Sequence, residues 1–155
     1  MAARNFSPPS AHARILLVDD NANGLCARKS VLEELGHRIS TAASGAEAIE
    51  QFGSHKFDLV VTDYKMPRMD GLELIKRLRK QAPGLPIVLI SGYVDTLGLN
   101  EATTGADVVI QKSSNEVSHL VRSVGRLLRR KPVVKKPAQA QTAPPAVPKV
   151  KRKGV

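Results

Sequence analysis

The chain has 155 residues and a mass of 16.7 kDa with 42% hydrophobic residues, which suits one ordinary globular domain and excludes a wholly disordered chain. No apolar run approaches the roughly 20 residues of a membrane-spanning helix, and residues 1–13, with two prolines and no apolar segment, do not read as a secretory signal. The net charge of +10 is unevenly placed: nine basic residues and no acid lie from Arg129 onward, while the remainder sets fifteen basic against fourteen acidic side chains, so the charge does not argue for nucleic-acid binding by the folded part.

Residues 1–12 read as a disordered leader. Residues 14–18, Arg-Ile-Leu-Leu-Val, are apolar at consecutive positions, as in a strand covered on both faces. Helical spacing follows at Leu25, Leu32 and Leu35, with Gly36 as a stop signal. Cys26 on this helix is the single cysteine, expected to pack within it. Having no internal disulfide partner, it suits a reducing, cytoplasmic location. Residues 37–42 form a second strand candidate, and Ser44-x-x-Glu47 is a capping box opening a helix that ends near Phe52-Gly53. A third strand spans 59–62, and Leu72, Ile75 and Leu78 mark a third helix. Its Lys76, Arg77, Arg79 and Lys80 read as a solvated face. A fourth strand covers 87–90, a weak helix 95–103 is interrupted by Gly98, and a fifth strand spans 108–110. Val117, Leu120, Val121, Val124, Leu127 and Leu128 then repeat at helical spacing. Residues 131–155 hold five prolines and no aromatic or acidic residue, a composition that predicts a disordered basic tail.

Five strand–helix units in series predict an α/β fold, a doubly wound parallel sheet with right-handed crossovers and helices on both faces. Ligands in such sheets bind beyond the carboxyl ends of the strands. Those ends carry Asp19-Asp20 after the first strand, Asp63 after the third, Ser91 after the fourth and Lys112 after the fifth. Any one of them reads equally well as a helix cap. Together they do not. Three close carboxylates repel one another unless a cation joins them, and oxygen-only ligands suit Mg²⁺ with phosphate as co-ligand. Lys112 adds a cation, and Ser91-Gly92 a hydroxyl beside a small residue, so the rim is shaped for phosphoryl transfer.

These residues, with the segment Asp63-Tyr64-Lys65-Met66-Pro67-Arg68-Met69-Asp70-Gly71, resemble the receiver domain of two-component response regulators over residues 13 to 130. The resemblance implies a flavodoxin-like (βα)5 fold of strand order 2-1-3-4-5. It implies that Asp63 accepts a phosphoryl group from a sensor histidine kinase or a phosphotransfer protein. It further implies Mg²⁺ held by Asp20, Asp63 and the Lys65 backbone carbonyl, with Asp19 assisting through water. Ser91 matches the hydroxyl that moves to the phosphoryl group, Lys112 the lysine that bonds it, and Lys65 and Tyr93 the two positions that tune its loss.

Two departures stand out. Ser113 follows Lys112, where the family usually has a cis-joined proline, so this peptide is either trans or strained. Val109 occupies the place of a rotating aromatic switch, and its stiff, short side chain cannot swing from core to surface. Phosphorylation chemistry is expected to survive, with the aromatic readout muted.

The histidines His12, His37, His55 and His119 show no ligand spacing. A phosphatase of the haloacid-dehalogenase type also combines Asp, Ser and Lys on an α/β sheet. It needs a second Asp two residues after the nucleophile, where Lys65 stands. About 25 residues follow the last helix, too few for an output domain, so a single-domain switch that is not an enzyme beyond its own phosphorylation and dephosphorylation is expected. The alternative is a nucleic-acid or membrane-associated protein acting through its tail. That tail, residues 129–155, lacks stacking aromatics and an apolar helical face, so only a weak, salt-dependent affinity for polyanions is expected of it.

Overall fold

Short runs of branched aliphatic residues become five parallel strands: β1 (Arg14–Val18), β2 (Arg38–Ala42), β3 (Leu59–Asp63), β4 (Ile87–Ser91) and β5 (Val108–Gln111). The computed structural model describes residues 12–129; the expectations for the leader and the basic tail fall on residues outside these. The strands form one sheet in the order β2-β1-β3-β4-β5. Every residue of β3 and β4 is buried, as parallel strands covered on both faces must be.

The helices are α1 (Ala22–Glu34), α2 (Gly45–Ser54), α3 (Gly71–Gln81), α4 (Val94–Leu97), α5 (Glu101–Thr104) and α6 (Glu116–Arg129). Strand side chains alternate between two cores. Leu16, Val18, Val60 and Leu89 pack with Leu74, Ile75 and Leu78 of α3 and with Ala48 of α2. Ile15, Leu17, Val61 and Ile90 pack instead with Leu32 of α1 and with Leu120, Val124 and Leu127 of α6. Burying each of the Val, Leu and Ile side chains contributes about 1.5–3 kcal/mol. No helix among the described residues is long and apolar enough to cross a membrane.

Several local expectations are corrected. The helix expected over 95–103 is two short ones: Gly98 takes the left-handed φ of 64° and ends α4, and Asn100 with Thr103 forms a capping box that starts α5. At the start of α2, Ser44 Oγ accepts the Glu47 N–H at 3.1 Å, but the Glu47 carboxylate reaches back to the N–H of Ala43, one residue before the cap. Leu35 closes α1 from an exposed position, and Cys26 is exposed, because the sheet-facing stripe of α1 runs through Leu25 and Leu32 and turns residue 26 outward. Arg79 is buried instead of solvated, one residue after the buried Leu78. The Lys112–Ser113 peptide is trans, the first of the two alternatives expected for it.

Candidate functional site

The parallel ladder continues past the strand ends and fixes the residues there. The Asp19 N–H donates to the Ala42 carbonyl at 3.1 Å, the Tyr64 N–H to Ile90 at 2.9 Å and the Lys112 N–H to Ser91 at 2.9 Å. Asp63 thus ends the central strand, in register with Ile90, and Ser91 lies in register with Gln111. Asp19, Asp63 and Ser91 are buried, and Asp20 is exposed.

The carboxylates of Asp19, Asp20 and Asp63 each bring an oxygen within 4.8 Å of the others. The Lys112 ammonium stands 2.8 Å from Asp63 Oδ1. Burial pushes the Asp63 carboxyl above its ordinary range and the charge of Asp19 pushes it the same way, against the pull of Lys112. An ionised Asp63 is therefore in want of further positive charge. A hard oxygen donor set with a carboxylate held at such a disadvantage fits Mg²⁺.

Asp19 is held on both sides. Its Oδ1 accepts the Asn21 N–H at 3.0 Å, and its Oδ2 accepts from Arg28 Nη1 at 2.8 Å. Arg28 also donates through Nε to Glu116 Oε2, at 2.8 Å. Burial opposes its charge, yet the two carboxylates prevail and hold the guanidinium above its ordinary pKa. A Cβ on Gly24 would lie 2.8 Å from Asp19 Oδ2, so α1 approaches this pair as closely as only glycine allows. The sequence reading missed both Arg28 and Glu116. One signal was there: Arg28 sits between Leu25 and Leu32 in the apolar stripe of α1, where a charge needs a partner.

Around the rim, Ser91 Oγ accepts the Tyr93 N–H at 2.8 Å, which leaves its own hydroxyl proton free to be donated. Gln111 ties β5 to the loop after β4, its side-chain amide donating to the Gly92 carbonyl at 3.3 Å. Tyr93 meets Tyr64 edge-on at 6.2 Å between centroids, and the Lys65 ammonium lies 5.4 Å from the Tyr93 ring centre. Val109 is half-buried, and its N–H donates to the Glu101 carboxylate at 3.2 Å. Gly71 is required by close approach, since a Cβ there would lie 2.5 Å from the Asp63 carbonyl oxygen. The structure therefore brings Asp19, Asp20, Asp63 and Lys112 together, with Ser91 at the neighbouring strand end. None of the four histidines enters the acidic group.

The family model for the response regulator receiver domain matches residues 15–124. Among solved structures, the Francisella response regulator 1452 receiver domain is 29% identical with a TM-score of 0.69, over 76% of this chain and 98% of that one. Response regulator protein TrrA from Thermotoga maritima, in complex with Mg²⁺–BeF, is 36% identical with a TM-score of 0.68, over 74% of this chain and 98% of that one. The gliding motility regulatory protein of Myxococcus xanthus is 30% identical over 125 residues, 78% of this chain and 16% of the relative. This chain spans half or less of the length of the curated relatives it matches.

Proposed function

The chain belongs to the response regulator receiver domain family of two-component systems, and on that premise we propose that it is a switch phosphorylated on Asp63. One observation carries the proposal: Asp63 is buried at the end of the central strand, 2.8 Å from the Lys112 ammonium and within a group of three carboxylates. A carboxylate oxygen of Asp63 attacks the phosphorus of a phosphohistidine on a sensor kinase or a phosphotransfer protein. A P–O bond forms, the P–N bond breaks, and the imidazole leaves with a proton taken from solvent. Lys112 moves its charge from the carboxylate to a phosphoryl oxygen. Ser91 donates its free hydroxyl proton to another.

Asp19, Asp20, Asp63 and the Lys65 carbonyl are the groups we assign to Mg²⁺. When bound, the ion neutralises the charge gathered on the phosphoryl oxygens. The Mg²⁺–BeF complex of the related TrrA supports this assignment. Lys65 and Tyr93, stacked beside the rim, set how freely water reaches the phosphoryl group. We take residues 13–130 as the folding unit and a reducing, cytoplasmic setting for its single cysteine. Residues 129–155 contribute at most a weak, salt-dependent hold on polyanions, as their nine basic residues and lack of acid favour.

Incubation with Mg²⁺ and a small phosphodonor, followed by intact mass, is expected to add one phosphoryl group to the wild type and none to Asp63→Asn. The same mass increase at full yield in Asp63→Asn would overturn the assignment.

A further inference from the structure

We propose that Arg28 links occupancy of the acidic rim to the position of the last helix, acting as a built-in competitor for Asp19 that Glu116 restrains. This rests on the rim being the metal and phosphoryl site. Arg28 is 5% exposed, and its guanidinium uses separate nitrogens for two carboxylates that lie 97 residues apart in the chain, Asp19 beyond β1 and Glu116 at the first turn of α6.

The consequence is a closed circuit of charge. Lys112 pairs with Asp63. Four residues later the chain reaches Glu116, whose N–H is tied back to the Ser113 carbonyl at 3.1 Å. Glu116 pairs with Arg28, and Arg28 with Asp19, which belongs to the same carboxylate group as Asp63. The start of α6 is thus fastened to the rim twice, by the short loop from Lys112 and by Arg28.

A divalent cation drawing on Asp19 competes with Arg28 for that carboxylate, and like charges repel. As the ion binds, the hold of Arg28 on Asp19 weakens and Glu116 becomes its principal partner. The reverse follows by linkage: whatever strengthens the Arg28–Glu116 pair eases the ion into the rim, and whatever removes Glu116 leaves Arg28 wholly to Asp19. With Val109 in place of an aromatic, this polar route supplies a path from rim to helix that needs no rotating ring.

The test is a Mg²⁺ titration of the full chain followed by amide NMR, run as a double-mutant cycle on Arg28→Met and Glu116→Gln. In the wild type, shifts are expected around Asp63 and also in the first turn of α6. Arg28→Met is expected to bind Mg²⁺ about tenfold tighter and to lose the α6 shifts, while Glu116→Gln binds it severalfold more weakly. The double variant is expected to match Arg28→Met, because Glu116 acts through Arg28. If Arg28→Met does not fold, Arg28→Lys takes its place in the cycle, since one ammonium cannot hold both carboxylates as the guanidinium does. An unchanged Kd in Glu116→Gln, or the same Glu116→Gln effect with and without Arg28, would overturn the linkage while leaving the metal site standing. Absence of any Mg²⁺-dependent shift at Asp20 or Asp63 in the wild type would overturn the metal-site reading and the linkage with it.

Discussion

Two buried arginines mark the two ends of the sheet, and one is held mainly by backbone carbonyls, the other by carboxylates. Arg79, at the amino ends of β4 and β5, donates to the carbonyls of Gly105, Pro83 and Leu85 and pairs with Asp107 at 2.9 Å. The same Asp107 oxygen accepts the Ile87 N–H at 2.8 Å. Arg28, at the carboxyl end, pairs among the described residues with two side-chain carboxylates, Asp19 and Glu116. Backbone carbonyls neither titrate nor swing about side-chain torsions, whereas carboxylates do both and so exchange partners more readily. The amino end is therefore fastened and the carboxyl end is exchangeable, although both use one residue type at similar burial.

The sharpest way to break this comparison is to remove each arginine in turn. Arg79→Ala takes the arginine donor from three carbonyls and from Asp107, which keeps the Ile87 N–H, and is expected to cost about 3–5 kcal/mol in urea denaturation, as loss of one partner of a buried pair does. Mg²⁺ should restore none of it. Arg28→Ala is expected to cost less, about 1–3 kcal/mol, and Mg²⁺ should recover part of the loss by supplying the missing charge. Equal losses with no Mg²⁺ rescue in either variant would erase the distinction.

A substitution that crowds the carboxyl end comes next. Gly71→Ala places a methyl against the Asp63 carbonyl and Leu89, with an expected cost of about 1–3 kcal/mol and weaker Mg²⁺ binding in the same titration. Smaller and of opposite sign is Arg68, which takes a left-handed φ of 68° in the loop after Asp63. Arg68→Gly should raise stability by about 1 kcal/mol or less, seen as a higher denaturation midpoint, because glycine accepts that conformation without strain.

The smallest effect is in pH. His37, beside β2 at the amino end, is held below its ordinary pKa by burial and by the charge of His12. The unfolded chain therefore takes up its proton first, and the stability His37 contributes above its ordinary value of 6.5 is lost as pH falls through the lower folded value. Asp63 runs the other way. Its carboxyl is raised by burial, so the penalty of ionising it is relieved as pH falls through the folded value and is gone below the ordinary 3.8. Without Mg²⁺, acidification should lower the urea midpoint less in His37→Gln than in the wild type, and Asp63→Asn should lack the compensating gain.

The same contrast explains what was legible in the sequence. Strands declared themselves because β3 and β4 are buried on both faces and so are written in unbroken aliphatic runs. Asp19, Asp20, Asp63, Ser91 and Lys112 followed from their places just beyond those runs. Arg28 and Arg79 did not, since a charged residue on a helix reads as solvent-facing unless its partners are known. Those partners lie far along the chain: Glu116 is 88 residues from Arg28, and Gly105 is 26 from Arg79. Gly98 was seen to interrupt a helix, but that the chain would restart at Asn100 depended on a side-chain cap that spacing alone did not reveal.

The contact between Glu101 and Val109 bears on how the sheet ends. Among the described residues β5 is paired only with β4, so it forms one margin of the sheet, and the outward-facing amides of such a margin can template another strand. The Glu101 carboxylate fills the Val109 amide, which makes α5 a cover for that margin as well as its neighbour. A movement that carried α5 away would release the Val109 N–H that Glu101 now occupies, so the position of this short helix sets whether that donor is free.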